Sequence, residues 1–587
     1  MGTPDEQSGV CPTALMGISP WSDGASISGE WDRQMRASDL FLRCLEAEGV
    51  EYVFGVPGEE NADLLMSMRE SSVRFVPTHH EAGAAFMADV YGRLTGQPGV
   101  CLSTLGPGAA NLVTGVANAN MDNSPVVAIT GQGATTRLHK ESHQAMNVVN
   151  MFSPITKWTT SLRDETTIPE VLRKAFKLAV AEKPGATHVE LPEDIAKHEV
   201  ESAPIVPPEK VRRPVPDEKS IEAALDLIAR AERPVLLVGQ GCVRTRVSRQ
   251  LQRFVETTGI YAGMTFMGKG ALSDRHERSL YAVGLGSRDY VTEVFEAADL
   301  VIAVGYDMVE WPPARWNIGR TKRLLHIDFD PAEVDDAYRP TVEIVGDVAA
   351  TLWAINEGLT DEHHYEDVHL HRRVRESLTE EITEAGQSAE AETGDFPMKP
   401  QRILAELRAE MDDEDILISD VGAHKMWIAR HYPTYSPNTC IISNGFCSMG
   451  IAVPGGVSAA LVEPERRVVA LSGDGGFMMN MAELATATRL GVAPVNVVWE
   501  DNDYGLISWK QEVEFGHHFG TEFTTPDLVA VSQGLGCHAR RIESADEFRP
   551  ALKEAFDRRD KPSVIVVPVD YRENVKLTKR LGQLIAR

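Results

Sequence analysis

The sequence predicts an α/β protein built from three doubly wound parallel-sheet domains, and three observations lead there. The chain has 587 residues, and at ~100 to 200 residues per domain that length calls for several cores. Short β-rich runs alternate with helical patterns along most of it. Several of those runs are apolar throughout rather than alternating, as strands covered by helices on both faces must be.

In chain order, a polar leader at residues 1–35 mixes Gly, Ser, Pro, Asp and Glu, with no basic segment running into an apolar one, and so is not a signal peptide. The first domain is expected at 36–201, with strands near 52–54, 100–103 and 126–129. A Pro-rich acidic stretch, 202–219, opens a second domain at 202–360, whose strands include 234–238 and 300–304. A charged, His- and Glu-rich segment at 361–395 reads as a linker to the third domain, 396–587, with strands at 468–471 and 495–499. No short repeat is present, although the first and third domains could be sheets of one general type.

Apolar residues make up 43% and charged residues 25%, near the globular average, so most of the chain should fold. With 58 basic against 86 acidic residues the net charge is −28, which sets aside nucleic acid and anionic membrane surfaces as partners. No run reaches the ~18 to 20 apolar residues needed to cross a bilayer. The seven cysteines (Cys11, Cys44, Cys101, Cys242, Cys440, Cys447 and Cys537) form no CxxC pair. They read as reduced thiols of a cytoplasmic protein, against a disulfide framework or a structural zinc site. A small anionic ligand stays open, because helix N-termini and divalent cations hold phosphate whatever the net charge.

The densest chemical signal is Leu471-Ser472-Gly473-Asp474-Gly475-Gly476-Phe477, between a strand and a helix expected to carry Met481, Leu484, Ala485 and Thr488 on one face. Strand, glycine turn and helix N-terminus make a site for phosphate, and Asp474 adds a hard oxygen ligand. A second strand ends in Glu500-Asp501-Asn502-Asp503-Tyr504-Gly505. The separation of Asp474 and Asp501 holds one helix and one return strand, which brings both carboxylates to one sheet edge. Two carboxylates and a loop carbonyl around a diphosphate suit Mg²⁺. Each piece alone could be a plain turn or a solvated tip; together they resemble the thiamine diphosphate motif. That motif usually ends in Asn-Asn, and here Glu500-Asp501 stands in its place. Asp501 is the favoured second ligand and the Asp503 carbonyl the third, with Asn502 the competing candidate.

Thiamine diphosphate needs a carboxylic acid at ring nitrogen N1′ and an apolar wedge beneath its two rings. Glu81, opening a small-residue helix after Thr78-His79-His80, is the candidate acid, although alone a Glu there is more often a dipole partner. Met449, in the Gly-flanked turn Ser443-Asn444-Gly445-Phe446-Cys447-Ser448-Met449-Gly450, is the candidate wedge, and on its own would be ordinary core. A nicotinamide oxidoreductase is the rival from another cofactor class. Gly239-Gln240-Gly241 follows a strand, but Arg244 stands where GxGxxG needs its third glycine, and Val283-Gly284-Leu285-Gly286 is equally short of the pattern.

With these residues in view, the chain resembles the thiamine diphosphate-dependent acetolactate synthases from about Arg36 to Gly582. The matching segments are Val53-Phe54-Gly55-Val56-Pro57-Gly58, His80-Glu81, Leu105-Gly106-Pro107-Gly108-Ala109-Ala110-Asn111, Gly422-Ala423-His424, Met449-Gly450 and Gly473-Asp474-Gly475. The resemblance implies that Glu81 activates the cofactor, with Met449 as the wedge and Gln144, of the pair His143-Gln144, near the substrate carbonyl. It implies cofactor contacts from Asn111, Gly422, Ala423, His424, Cys447, Met449, Gly473, Gly475, Gly476 and Tyr504, and metal contacts from Asp474, Asp501 and Asp503. The implied reaction is decarboxylation of pyruvate and carboligation to a second pyruvate, giving 2-acetolactate. The implied assembly is a homodimer or homotetramer with cofactor sites between subunits.

Within the family, Val304-Gly305-Tyr306-Asp307 replaces the Arg-Phe-Asp-Asp-Arg run of flavin-dependent relatives, so Tyr306 and Asp307 count against bound FAD and resemble the catabolic branch, as does Val569-Asp570-Tyr571. Two departures bear on the acceptor. Glu60 stands where catabolic members often have Lys, and Lys510 where biosynthetic relatives tend to have Trp. The alternative reading is a related 2-oxo acid decarboxylase or carboligase with another acceptor, or a FAD-binding acetohydroxyacid synthase.

Overall fold

In the computed structural model the described residues are 35–574 and 577, apart from 208–212, 244, 286–288, 367 and 392–395. The leader at 1–34, Cys11, Arg244, Gly286 and Gly582 lie outside them. Three six-stranded sheets, every neighbouring pair parallel, carry the fold. In the first sheet the spatial order is Arg74–Pro77, Tyr52–Gly55, Gly99–Ser103, Val126–Gln132, Ala186–Pro192, Trp158–Ser161. The third repeats that permutation of second, first, third, fourth, sixth and fifth with Cys440–Ile442, Ile416–Ser419, Val468–Gly473, Val495–Glu500, Ser563–Pro568 and His538–Arg541. The two sheets are thus of one type. A short antiparallel pair, Met35–Arg36 with Glu199–Val200, closes the ends of the first unit.

The middle sheet has a different order: Ser279–Ala282, Ala262–Met264, Pro234–Val238, Leu300–Val304, Arg323–Asp328, Val342–Val345. This is the dinucleotide-binding permutation, whose crevice opens where the order reverses, between the strands Pro234–Val238 and Leu300–Val304. Here the crevice is filled. A Cβ at Gly239 would lie 2.3 Å from the Gly305 carbonyl oxygen, so the two glycine turns pack on each other. The Glu310 carboxylate accepts from the backbone N–H groups of Gln240 and Asp307 (both 3.2 Å) and from the Thr265 hydroxyl. Burial, and then the neighbouring Asp307, push Glu310 up to about 8.

All seven strand runs expected from the sequence are strands, and their central residues are buried on both faces. The segment 361–395, expected as a linker, has secondary structure of its own. It contains the helix His369–Ala391, whose Val374 and Leu378 sit in the middle domain's core with Leu370 and Ile382 against it. Its charges cover the outside of that helix. Among the described residues of 202–217 none is in a helix or strand, and at Glu218 a helix begins with Asp217 as its cap.

The first and third domains share apolar cores although the middle domain separates them in sequence. Phe86 and Val90 of the helix Glu81–Thr95 pack with Ile416, Ile418, Ile451, Ala452 and Ala459. Val457 and Ala487 enter the first domain's cluster. The middle domain meets the first through polar contacts, with Lys183 bonded to Asp307 and paired with Asp328 (3.2 Å), and Asn123 donating to Asp307 (2.7 Å), and meets the third through Phe266, Ala282 and Leu285, which enter that domain's apolar cluster. Among the described residues no helix is long and apolar enough to cross a membrane, and the six cysteines form no disulfide.

Candidate functional site

In the third sheet, Gly473 stands opposite Trp499 in register, so the residues that follow the two strands emerge at one edge. Asp474 opens the helix Asp474–Asn480 and is buried. Its Oδ1 accepts from Gly475 N–H (2.9 Å), and its Oδ2 from Asn502 N–H (2.8 Å) and the Thr525 hydroxyl (2.9 Å). Asp501 lies against it: burial, then the charges of Asp474 and Asp503, push its carboxyl up to about 8. Two carboxylates crowded together at a buried edge are what a divalent cation stabilises.

Asn502 sits at a φ of 59°, in the left-handed region that Asn tolerates. Its carbonyl accepts from Phe523 N–H (3.0 Å) and its side-chain oxygen from Thr525 N–H (3.0 Å), so the amide oxygen is already used to hold the 523–525 segment. Asp503 bridges to Glu522, and its Oδ1 is buried with no hydrogen-bond partner among the described residues. No group of three or more His, Cys, Asp or Glu side chains among those residues could by itself hold a metal ion. A cation here would rest on Asp474, Asp501, a loop carbonyl and oxygens from its ligand.

The helix expected after this turn is broken. Asp474–Asn480 ends and Glu483–Leu490 begins, with Leu484 and Ala485 bonded three residues back to Met481 and Ala482. Glu483, Leu484, Thr486 and Ala487 form the buried face, while Met481, Ala485 and Thr488 are only half-buried. The cause is the pull of side chains in two directions: Asn480 donates to the Gly450 carbonyl (2.8 Å), and Glu483 turns towards the first domain.

Above the glycine turn lies His424, from the helix Ala423–His431. Burial lowers it to about 3, so the ring is neutral, and its Nε2 is buried with no partner among the described residues. Gly422, Ala423 and Gly473 surround it, and a Cβ at Gly473 would lie 3.5 Å from its Nδ1. Tyr504 flanks Gly475, where a Cβ would come within 2.9 Å of its ring. Asp420, which the sequence reading missed, ties this region together. It accepts from Val421 (2.7 Å), Gly450 (2.8 Å) and Ala452 (3.1 Å) N–H groups, and burial raises it to about 6 against the pull of those donors. It thereby fixes Gly450 directly beside Met449. Cys447, at a φ of 59°, accepts from the Lys425 ammonium at 3.2 Å.

The first domain supplies a second group. Glu81, 8% exposed, is the first residue of the helix Glu81–Thr95, capped by His80, whose Nδ1 accepts from Ala82 N–H. Asn111 donates to Glu81 Oε2 (2.9 Å), and a Cβ at Gly108 would lie 3.2 Å from Oε1. Gln144 is exposed, at a φ of 56°, and its carbonyl oxygen lies 2.5 Å from where a Gly106 Cβ would be. Glu81, Asn111 and Gln144 therefore gather at the N-terminus of the helix Pro107–Met121. Glu60 joins them from a neighbouring loop: it is buried and accepts from the Thr104 hydroxyl (2.7 Å), and Thr104 in turn packs against Gly108. His143 and Lys510 point to solvent in the single chain.

The buried carboxylates Glu483, Asp122 and Asp420 escaped the sequence because their partners are remote. The signal available was weak: each is an acidic residue among small or apolar neighbours.

Comparison with known proteins places all three domains in one family. Residues 35–151 match the family described as Thiamine pyrophosphate enzyme, N-terminal TPP binding domain, residues 221–355 its central domain, and residues 420–567 its C-terminal TPP binding domain. The chain is 32% identical over 558 residues to an acetolactate synthase of Bacillus subtilis (strain 168), covering 94% of this chain and 97% of that protein. It is 35% identical over 555 residues to a catabolic acetolactate synthase of Raoultella terrigena (93% and 97%). It is 32% identical over 558 residues to a probable acetolactate synthase large subunit of Methanococcus aeolicus (91% and 92%).

Proposed function

Because the chain belongs to the thiamine pyrophosphate enzyme family, we propose that it decarboxylates pyruvate and joins the product to a second pyruvate, giving 2-acetolactate and CO2 without a flavin. The observation that carries this reading is the pairing of buried Asp474 with half-buried Asp501 at the glycine turn, beside a neutral His424 with a free ring nitrogen. The residues present suit thiamine diphosphate with Mg²⁺: an unpartnered donor, a turn with no side chains in the way, and two crowded carboxylates.

When bound, thiamine diphosphate supplies a nucleophilic carbon and an electron sink for decarboxylation. The chain's own residues do the rest. Asp474, Asp501 and the Asp503 carbonyl would hold Mg²⁺, and Gly422, Ala423, His424, Gly473, Gly475 and Gly476 would hold the diphosphate. Glu81, kept in place by Asn111 at 2.9 Å, would be the residue that faces ring nitrogen N1′ of the bound cofactor and exchanges a proton with it. Met449 would pack against the rings of the bound cofactor, and Cys447 and Tyr504 would contact it as well. Gln144, over the start of the helix Pro107–Met121, orients the substrate carbonyl.

The flavin-free assignment is supported by Glu310, which takes the backbone donors that a dinucleotide would need in the middle domain. A match to a relative named as catabolic points the same way. We further infer a homodimer or dimer of dimers. Asn111, Gln144, Phe446, Met479 and Tyr504 are exposed in the single chain, whereas a carboligation site has to be closed to water.

One observation favours a second reading. Glu60, bonded to Thr104 close to Glu81, places a carboxylate where an anionic acceptor would arrive, and this suits carboligation to a neutral aldehyde. The deciding experiment is incubation with thiamine diphosphate, Mg²⁺ and pyruvate, without FAD, following CO2 release and identifying the product by mass spectrometry. Acetolactate supports the proposal. Acetaldehyde, or turnover only with another acceptor or with FAD, refutes it and leaves a different member of the family.

A further inference from the structure

Two buried carboxylates cross between the first and third domains of the same chain. Glu483 is fully buried at the start of the helix Glu483–Leu490. Its Oε1 accepts from the N–H groups of His79 (2.9 Å) and His80 (3.0 Å), the two residues before Glu81, while its Oε2 accepts from the Thr486 hydroxyl (2.6 Å). Gly83 makes the approach possible, since a Cβ there would lie 2.7 Å from Oε1.

In the opposite direction, Asp122 is fully buried at the end of the helix Pro107–Met121. Its Oδ1 accepts from the N–H groups of Gly445 (2.8 Å) and Phe446 (3.2 Å), in the loop that carries Met449. Its Oδ2 is held by Arg93 (2.6 Å). Gly445 makes the room, with a Cβ there 2.6 Å from Oδ1.

The two arrangements are topological equivalents. His79 and His80 follow the second strand of the first sheet, and Gly445 and Phe446 follow the second strand of the third. Each carboxylate stands on the helical segment after the third strand of its own sheet. Between them pack the helices that follow the second strands, Glu81–Thr95 and Ala452–Val462, with Ser458 donating to the Met87 carbonyl (2.8 Å). Apolar packing of those helices would join the domains without any carboxylate. Burying one is costly unless its partners are in place, so what each adds is a fixed position for the backbone it bonds.

We propose that Glu483 and Asp122 are reciprocal positioning residues: each cofactor-binding domain fixes, within one chain, the backbone of the other domain's cofactor loop, Glu483 setting Glu81 and Asp122 setting Met449. This rests on the roles proposed above for Glu81 and Met449.

The test is amide hydrogen exchange by mass spectrometry on the full-length protein without cofactor, comparing wild type with Glu483→Ala, Glu483→Gln, Asp122→Ala and Asp122→Asn. Glu483→Ala should speed exchange at residues 79–83 by about tenfold or more and leave 443–449 unchanged, and Asp122→Ala should do the converse. The Gln and Asn variants keep an acceptor oxygen and should shift the same peptides by about threefold, so they carry the comparison if an alanine variant does not fold. In turnover with pyruvate, the alanine variants should lose about tenfold or more in kcat with KM within about threefold, and the amide variants should recover part of it. Unchanged exchange, or a uniform rise across both domains, overturns the proposal. Loop-specific exchange with unchanged kcat overturns the link to catalysis. The exchange result needs neither cofactor nor substrate, so it is separable from the roles of Glu81 and Met449, which wild-type turnover in Glu81→Gln would refute.

Discussion

Replacing Arg93 by Met should destabilise the junction of the first and third domains far more than an ordinary surface change. The guanidinium is 8% exposed and makes three charge-assisted contacts, two to Asp89 (2.7 and 3.1 Å) and one to Asp122 (2.6 Å), whose carboxylates are fully buried. Solvent screening, which leaves surface pairs at about 0 to 1 kcal/mol, does not apply here. Removing one partner of a buried pair costs ~3 to 5 kcal/mol because the remaining charge is left uncompensated. Met keeps most of the side-chain volume, so the packing loss is small beside that. At about 1.4 kcal/mol per tenfold, opening of the helix Glu81–Thr95 should become some hundred- to several thousand-fold more frequent. Amide exchange of that helix reads this directly. Adding Asp89→Asn to Arg93→Met removes one of the two stranded charges and should recover at least about 1 kcal/mol. A loss below about 1 kcal/mol in the single variant, or no recovery in the double, would refute the assignment of the cost to buried charge.

Three further outcomes are expected. Glu81→Gln should abolish turnover while calorimetry still shows thiamine diphosphate binding. Asp474→Asn should lose Mg²⁺ and thiamine diphosphate together, as should treatment with a chelator, and unchanged cofactor affinity in that variant would count against the metal assignment. His188 is buried, stacked on Phe152 and bonded to Thr130 and Thr159, and burial lowers it from 6.5 to about 3. Its neutral form therefore gives full stability above pH 6.5, and that contribution is lost as pH falls towards 3, reaching about 2 kcal/mol by pH 5. His188→Gln should be less stable than wild type at pH 7.5, with the gap in denaturant unfolding narrowing by about that amount at pH 5.

Much of the fold was legible in the sequence because strands covered on both faces must be apolar from end to end, as Leu300–Val304 and Val495–Glu500 nearly are. The neighbourhood of Asp474 and Asp501 was legible for a related reason: a strand, a helix and a parallel return fix where the next residues emerge. The helix within 361–395 was hidden because the segment's charge outweighed a pattern that was present. Leu370, Val374, Leu378 and Ile382 recur every fourth residue, the spacing of one helix face. What no local pattern could show is the class of buried carboxylates that bond remote backbone. Asp122 meets Gly445, and Glu483 meets His79, only after sheets from opposite ends of the chain have packed. The filled crevice of the middle domain was likewise visible only in part, since the missing glycine of GxGxxG gave no hint that Glu310 takes the vacant donors.

The apolar contact between the first and third domains bears on how the chain is made. Phe86 and Val90 find Ile416, Ile418 and Ala470 only when those residues exist, and at ~5 to 20 residues per second the ribosome delivers them on the order of a minute after the helix that needs them. Throughout that interval the first domain carries an uncovered apolar stripe, because the contacts described between it and the middle domain are made by charged and amide side chains. A fragment ending after residue 201 should therefore aggregate where the whole chain does not, and the full protein should depend on early chaperone capture more than the good packing of its finished state suggests.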